Sequence, residues 1–256
     1  MSKNLEYFIF TNRHKIKNLA QIGAHFGQEI ELFDKYEIKN IYLFEPTQKA
    51  ISVLQNKILY KSNYQLFPIA LGNKNMIHTI HLSDTNDGQS SSLLEPLLHK
   101  KVQPEIEFNN NTEIKVKKFS SLGLKDVNFL IMDVQGYELE VLKGFGNCIN
   151  SVEYIFTEVN RDYLYEDNVL INELDEFLKK NGFIRIWTSW RTADMPWGDA
   201  FYVKVNSLWT ATRILISFRN KLFTNKIFFL IYFLIDYRVF KKLLKKISTR
   251  NINDKH

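Results

Sequence analysis

The chain alternates short apolar runs with segments of helical periodicity from about residue 16 to residue 205. This alternation is typical of βαβ units, in which successive strands lie parallel and the connecting helices cover the sheet. We therefore predict an α/β domain over residues 1–206, with a mostly parallel sheet and helices on both faces. The predicted strands are Leu19–Gly23, Asn40–Glu45, Tyr64–Leu71, Met76–Leu82, Glu113–Lys118, Asn128–Asp133, Val152–Glu158, Phe183–Trp187 and Ala200–Val205.

The positive charge of the chain is concentrated near its C-terminal end. The net charge is +6, yet residues 207–256 hold eleven Lys and Arg against two Asp and Glu. Residues 1–206 therefore carry a small net negative charge and lack the basic footprint of a nucleic-acid-binding domain. We predict basic amphipathic helices over residues 207–256. Residues 207–247 either contact an anionic membrane surface or pack on protein, including a second subunit of a homodimer.

Three further features bear on the compartment and on metal binding. The apolar run Ile227–Ile235 is too short to cross a bilayer, which takes about 20 apolar residues. The chain has a single cysteine, Cys148, and no secretory signal pattern, so we expect a cytoplasmic protein. Any membrane association would be at the surface. We expect no metal site, because there is no Cys/His cluster and His78 and His81 fall on opposite faces of a predicted strand.

A glycine-spaced turn, QIGAHFGQE over residues 21–29, follows the first predicted strand. A dinucleotide fingerprint would need glycine at Gly23, His25 and Gln28, and two of these three positions fail. A nicotinamide-dependent oxidoreductase is therefore disfavoured, and a cofactor without phosphates is favoured. Glu45 ends the second predicted strand, where an acid can accept hydrogen bonds from both ribose hydroxyls of an adenosine. The alternative is a tight turn with a surface glutamate.

Several segments together resemble the FkbM methyltransferase family. The most distinctive is the run from Asp133 to Gly144, DVQGYELEVLKG. The matching segments are residues 22–33, 42–46, 68–73, 90–96, 128–145, 154–160 and 197–204. The resemblance implies a Rossmann-like class I methyltransferase fold that binds S-adenosyl-L-methionine and methylates hydroxyls of sugars, glycans or related metabolites. The acceptor would then be a small molecule or a carbohydrate.

The resemblance also implies roles for individual residues. Gly23, Ala24, His25 and Gly27 would line the methionine part of the cofactor, and Glu45 would bind its ribose. A further position, Asp133, would lie where the site of the family faces the transferred methyl group.

The sequence departs from the usual family pattern at four positions. Gln21 and His25 replace an Asp and an Asn, and Ile131 and Gln135 replace a Lys and a Glu. Three of these changes, Gln21, Ile131 and Gln135, motivate a second hypothesis, a catalytically weakened or inactive nucleotide-binding or interaction protein on the same fold.

Methyl transfer to a neutral hydroxyl benefits from a base that accepts the proton as the new bond forms. The candidate catalytic residues are Asp133, Glu158 and Glu138. Asp133 and Glu158 end predicted parallel strands, so both should face the crevice at the carboxyl edge of the sheet. Glu138 falls in the first turn of the next helix, where it can also act as a helix-end acid. The sequence does not distinguish which carboxylate is the base.

The connection over residues 83–112 is long enough to predict a functional lid. Its run Ser90–Ser92 either closes over the substrate or lies in a solvated loop. Trp187, Trp190 and Trp197 either stack on a sugar ring or are buried beneath a loop. Asp199 either orients a group near the pocket or forms a turn.

Overall fold

The computed structural model describes residues 3–192 and 195–207. The strands are β1 (Asn18–Ile22), β2 (Asn40–Phe44), β3 (Tyr64–Phe67), β4 (Ala70–Leu71), β5 (Met76–Leu82), β6 (Asn110–Lys117), β7 (Phe129–Met132), β8 (Tyr154–Asn160), β9 (Phe183–Trp190) and β10 (Trp197–Lys204). The helices are α1 (Lys3–Asn12), α2 (Ile30–Lys35), α3 (Gln48–Ile58), α4 (His99–Val102), α5 (Glu138–Phe145) and α6 (Ile171–Lys180).

Seven strands form the main sheet, in the order β3-β2-β1-β7-β8-β10-β9. The first five of these run parallel, whereas β10 pairs antiparallel with both β8 and β9. The chain moves outward from β1 in one direction through β2 and β3 and returns to the other side of β1 at β7. In open α/β sheets a ligand crevice forms at such a reversal, outside the carboxyl ends of the strands.

Helices cover both faces of the main sheet, as the alternation of the sequence predicts. On one face, α5 and α6 contribute Val141, Leu142 and Leu174 to a continuous apolar core. On the other face, the Phe8 ring of α1 stacks on the Phe201 ring at 4.0 Å between centroids and packs at an angle against the Phe156 ring. The mostly parallel α/β architecture is confirmed.

Helix α1 was not predicted from the sequence. Its buried side chains Leu5, Phe8 and Ile9 are spaced three and four residues apart, which places them on one helical face. That pattern is present in the sequence, and it accounts for the packing of this helix on the sheet.

The predicted strand Tyr64–Leu71 is two strands in the structure. β3 ends at Phe67, immediately before Pro68, and β4 begins at Ala70 in a second, three-stranded sheet of order β4-β6-β5. Proline lacks the backbone N–H that a continuing ladder would use, so a break at Pro68 has a physical cause.

The predicted basic tail, residues 207–256, lies outside the described residues apart from Ser207. The boundary after residue 206 and the amphipathic helices beyond it stay predictions. Over the described ranges, no helix combines the length and the apolar character that crossing a membrane requires.

Candidate functional site

The glycine-spaced turn and Glu45 meet because β1 and β2 are paired in parallel. Ile22 lies opposite Phe44, so the residues that follow each strand emerge side by side. The backbone N–H groups of Gly23 and Ala24 both donate to Phe44 O at 3.0 Å. The backbone N–H of His25 donates to Glu45 Oε2 at 2.9 Å. The turn and the acid predicted to bind one cofactor therefore lie in direct contact.

Glu45 is held in a single orientation. Its side chain is buried, and its second oxygen, Oε1, accepts hydrogen bonds from the backbone N–H and the hydroxyl of Thr47. The surface-glutamate alternative therefore does not describe this residue.

The glycines of the turn are required by the protein itself. Gly23 has φ +80°, and a Cβ there would collide with the backbone oxygen of Asp133. Gly27 has φ +67°, and a Cβ there would press on the side chains of Ile30 and Leu54. Both glycines are explained by the close approach of neighbouring chain segments. The same packing places the turn directly against the end of β7.

Asp133 and Glu158 converge at the carboxyl edge of β7 and β8. One side-chain amide joins them, since Gln135 Nε2 donates to Asp133 Oδ1 at 2.7 Å and to Glu158 Oε2 at 3.2 Å. The amide oxygen of Gln135 lies 2.8 Å from the hydroxyl of Tyr165. The backbone of Gln135 is left-handed, with φ +54°, and its carbonyl accepts a 2.7 Å hydrogen bond from Ser92 Oγ.

Sequence reasoning treated Gln135 only as a departure from a family pattern and did not identify Tyr165. The signal for Gln135 was its place between Asp133 and Gly136 in the most distinctive motif. No comparable signal exists for Tyr165, which lies 30 residues further along the chain and reaches the site through a loop.

Glu138 lies beneath the crevice. It is fully buried at the start of α5, and its Oε1 accepts hydrogen bonds from the backbone N–H groups of Val134 and Gly136 at 3.2 and 3.3 Å. Burial raises the pKa of Glu138 to about 7, and the nearby charge of Asp133 adds to the rise. The sequence offers two roles for Glu138, a catalytic base and a helix-end acid. Its burial fits the helix-end acid, because an acceptor could not reach the buried carboxyl.

The crevice carboxylates hold protons more tightly than isolated acids. Asp133 faces solvent on the crevice side, but the protein around it desolvates the carboxyl and raises its pKa. Burial also raises the pKa of Glu158 well above its usual value, and the charges of Asp133, Glu138 and Asp199 contribute. Asp199 lies in β10 directly opposite Glu158, not in a turn.

The loop that starts after β5 contacts both sides of the crevice. Ser90 and Ser92 are buried, which contradicts the solvated-loop alternative. On the turn side, His25 Nε2 lies 2.8 Å from Asp87 O, and Lys49 pairs with the Asp87 carboxylate at 2.9 Å. On the carboxylate side, this loop binds the backbone of Gln135 through Ser92.

The three tryptophans are half-buried. The ring of Trp187 packs at an angle against Phe8 with 5.3 Å between centroids. The ring of Trp190 lies 4.9 Å beneath the Arg161 guanidinium. Over the residues that the structure describes, no group of three or more His, Cys, Asp or Glu side chains is arranged to hold a metal ion.

Comparisons with known proteins point to methyltransferases. A family model described as the Methyltransferase FkbM domain matches residues 21–185. The 2-O-methyltransferase NoeI of Sinorhizobium fredii (strain NBRC 101917 / NGR234) is 23% identical over 171 residues, which make up 62% of this chain and 70% of that protein.

Among solved structures, the methyltransferase FkbM of Methylobacillus flagellatus KT is similar, with a TM-score of 0.50 and 14% identity over 73% of this chain. The match spans 43% of that longer chain, so the present chain covers less than half of its length. The likeness shows a shared fold, and the predicted Rossmann-like class I methyltransferase fold is confirmed.

Proposed function

Since the chain belongs to the FkbM methyltransferase family and is an S-adenosylmethionine-dependent methyltransferase, we propose that it methylates a hydroxyl of a sugar, a glycan or a related small metabolite. The relative NoeI is a 2-O-methyltransferase, which supports a hydroxyl acceptor. The observation that carries the proposal is the convergence of Asp133 and Glu158 beside the glycine turn.

The cofactor site that we propose consists of Gly23, Ala24, His25, Gly27 and Glu45. S-adenosylmethionine supplies an electrophilic methyl group on a positively charged sulfur. The acidic side chains at this edge of the sheet fit such a cation electrostatically and would repel a pyrophosphate. Glu45, which is already oriented by the turn and by Thr47, is placed to accept hydrogen bonds from the ribose.

We assign different roles to Asp133 and Glu158 from the positions of their strands in the sheet. Asp133 follows β7, the strand next to β1, and its backbone touches the turn at Gly23. Glu158 lies one strand further from the turn. We therefore place Asp133 at the boundary between cofactor and acceptor, and Glu158 against the acceptor hydroxyl.

Glu158 is the base of the proposed reaction. As the hydroxyl oxygen bonds to the methyl carbon, its proton passes to the Glu158 carboxylate and the carbon–sulfur bond breaks. A carboxylate is a stronger base when its surroundings raise its pKa toward the working pH, and burial has this effect on Glu158.

Methyl transfer from radiolabelled S-adenosylmethionine to a panel of sugar acceptors tests this proposal. We expect Glu158→Gln to lower kcat at least about 100-fold, the usual contribution of a general base, with little change in cofactor affinity. Because the base must be ionised, kcat/KM of the wild-type protein should rise with pH through the raised pKa of Glu158.

Glu176→Gln is the matched control, since Glu176 is an exposed acid on α6 and its loss should leave turnover unchanged. Wild-type turnover in the Glu158→Gln variant would contradict the assignment of the base. Tight binding of S-adenosylmethionine without transfer to any acceptor would instead favour the second hypothesis, an inactive binding protein.

A further inference from the structure

We propose that Gln135 is a positioning residue, which holds Asp133 and Glu158 in the arrangement needed for proton transfer and is itself held by Tyr165. This inference rests on the proposed methyl transfer to a hydroxyl. It assigns no contact with the substrate to Gln135.

The hydrogen bonds of Gln135 set one orientation of its amide in the reactive state, in which both carboxyls are ionised. Ionised carboxylates accept hydrogen bonds and cannot donate them, so the group facing Asp133 and Glu158 at 2.7 and 3.2 Å is then the NH₂ group. The amide oxygen then faces Tyr165, whose hydroxyl can donate to it across 2.8 Å. A flipped amide would set an oxygen against two carboxylates.

The backbone of the same residue is also restrained. Its carbonyl accepts the hydrogen bond from Ser92 Oγ, and its left-handed conformation persists within packed surroundings. The single hydroxyl proton of Tyr165 lies within reach of two acceptors, the Gln135 amide oxygen at 2.8 Å and the backbone oxygen of Ser90 at 2.9 Å, which therefore share it. Gln135 is therefore fixed at both ends, as a residue that sets the geometry of two others should be.

A neutral side chain suits this place because negative charges already surround it. Three acids act on Glu158: Asp133 at the end of β7, Glu138 in α5 and Asp199 in β10. The Gln135 amide and the Tyr165 hydroxyl lie close to it as well. Asp133 additionally faces the charges of Glu29 and His25. An amide donates two hydrogen bonds to the carboxylates without adding charge, whereas an acid of the same size would add a further negative charge between them.

The experiment compares Gln135→Glu, Gln135→Leu and Tyr165→Phe with the wild-type full-length protein. With Gln135→Glu, the low-pH limb of kcat/KM should move upward by about one pH unit, because an added negative charge disfavours ionisation of Glu158. With Gln135→Leu, kcat should fall at least about tenfold, while the Kd for S-adenosylmethionine stays within about twofold. Tyr165→Phe should give a smaller fall in kcat of the same kind.

A second readout does not depend on turnover. Infrared titration of carboxyl groups in the cofactor-free protein should show the highest-pH carboxyl transition moving upward in Gln135→Glu. Gln55→Glu, which adds the same charge on the exposed face of α3, is the control and should move neither the limb nor the titration.

The outcomes separate the two proposals. Absence of transfer by the wild-type protein to any acceptor overturns the proposed function, and the infrared titration still decides the role of Gln135. An active wild-type protein whose pH limb and carboxyl titration are the same in Gln135→Glu overturns the positioning role. If Gln135→Glu has reduced activity but an unmoved limb and titration, the effect is merely structural, and this also overturns the positioning role. If Gln135→Glu does not fold, Tyr165→Phe decides: a lower kcat at unchanged cofactor affinity supports the positioning role, and a wild-type kcat overturns it.

Discussion

The buried carboxyl of Glu138 should make the stability of the protein fall as pH rises. Its pKa is about 7 in the folded protein, compared with an ordinary value of 4.5. Between these values the folded state keeps a proton that the unfolded state has released, so raising the pH favours unfolding. From about pH 5.5 to pH 8.5 this single group should remove about 2 kcal/mol from the free energy of unfolding.

Glu138→Gln tests this reasoning, because glutamine stays neutral and its oxygen can still accept from the backbone N–H groups of Val134 and Gly136. The free energy of unfolding, measured by urea denaturation with tryptophan fluorescence, should be compared for the two proteins across this pH range. The difference between variant and wild type should change by about 2 kcal/mol in favour of the variant as pH rises. The titrations of Asp133 and Glu158 occur in both proteins and largely cancel.

Glu31→Gln provides the matched control, since Glu31 is an exposed acid in the first turn of α2. Removing it should shift stability by a small amount that does not vary with pH over this range. Parallel pH profiles for Glu138→Gln and wild type would refute the assignment of a proton to buried Glu138 near neutral pH.

Two further substitutions test other parts of the structure. Gly23→Ala should weaken S-adenosylmethionine binding at least about tenfold by calorimetry, because its Cβ collides with backbone at the end of β7. Gly123→Ala is its control, with φ +71° and open space around the added methyl, and equal cofactor affinity in the two variants would refute the collision argument. Asp175→Ala should lower the free energy of unfolding by about 2 kcal/mol, because it leaves the half-buried Arg185 guanidinium of β9 without its bidentate partner. An equal loss in Glu176→Ala, on the exposed side of the same helix, would contradict that explanation.

The part of the site that follows directly from strand pairing was predictable from the sequence. Glu45 is distant from Gly23 along the chain, but each follows a predicted parallel strand, and parallel neighbours end at the same edge. The same argument predicts that Asp133 and Glu158 lie close together at this edge. Short continuous apolar runs identify such strands because their side chains are buried on both faces of the sheet.

The features that the sequence did not predict depend on the conformation of loops or on the burial of a side chain. Nothing in local sequence indicates that Tyr165 reaches back to Gln135, since that contact depends on the path of two irregular segments. Glu138 was recognised as a helix-start residue, but its complete burial follows from packing around α5. The apolar face of α1 was visible in the sequence, and only its short length and terminal position obscured it.

The loop after β5 links the two halves of the crevice mechanically. It contacts His25, which we propose lines the methionine part of the cofactor, and Gln135, which lies beside the proposed base. Because one loop makes both contacts, we expect a displacement that frees the contact with His25 to disturb the contact with Gln135 as well. We expect this coupling to impose an ordered sequence of binding and release on the cofactor and the acceptor. The two carboxylates would then be correctly arranged only while both molecules are bound.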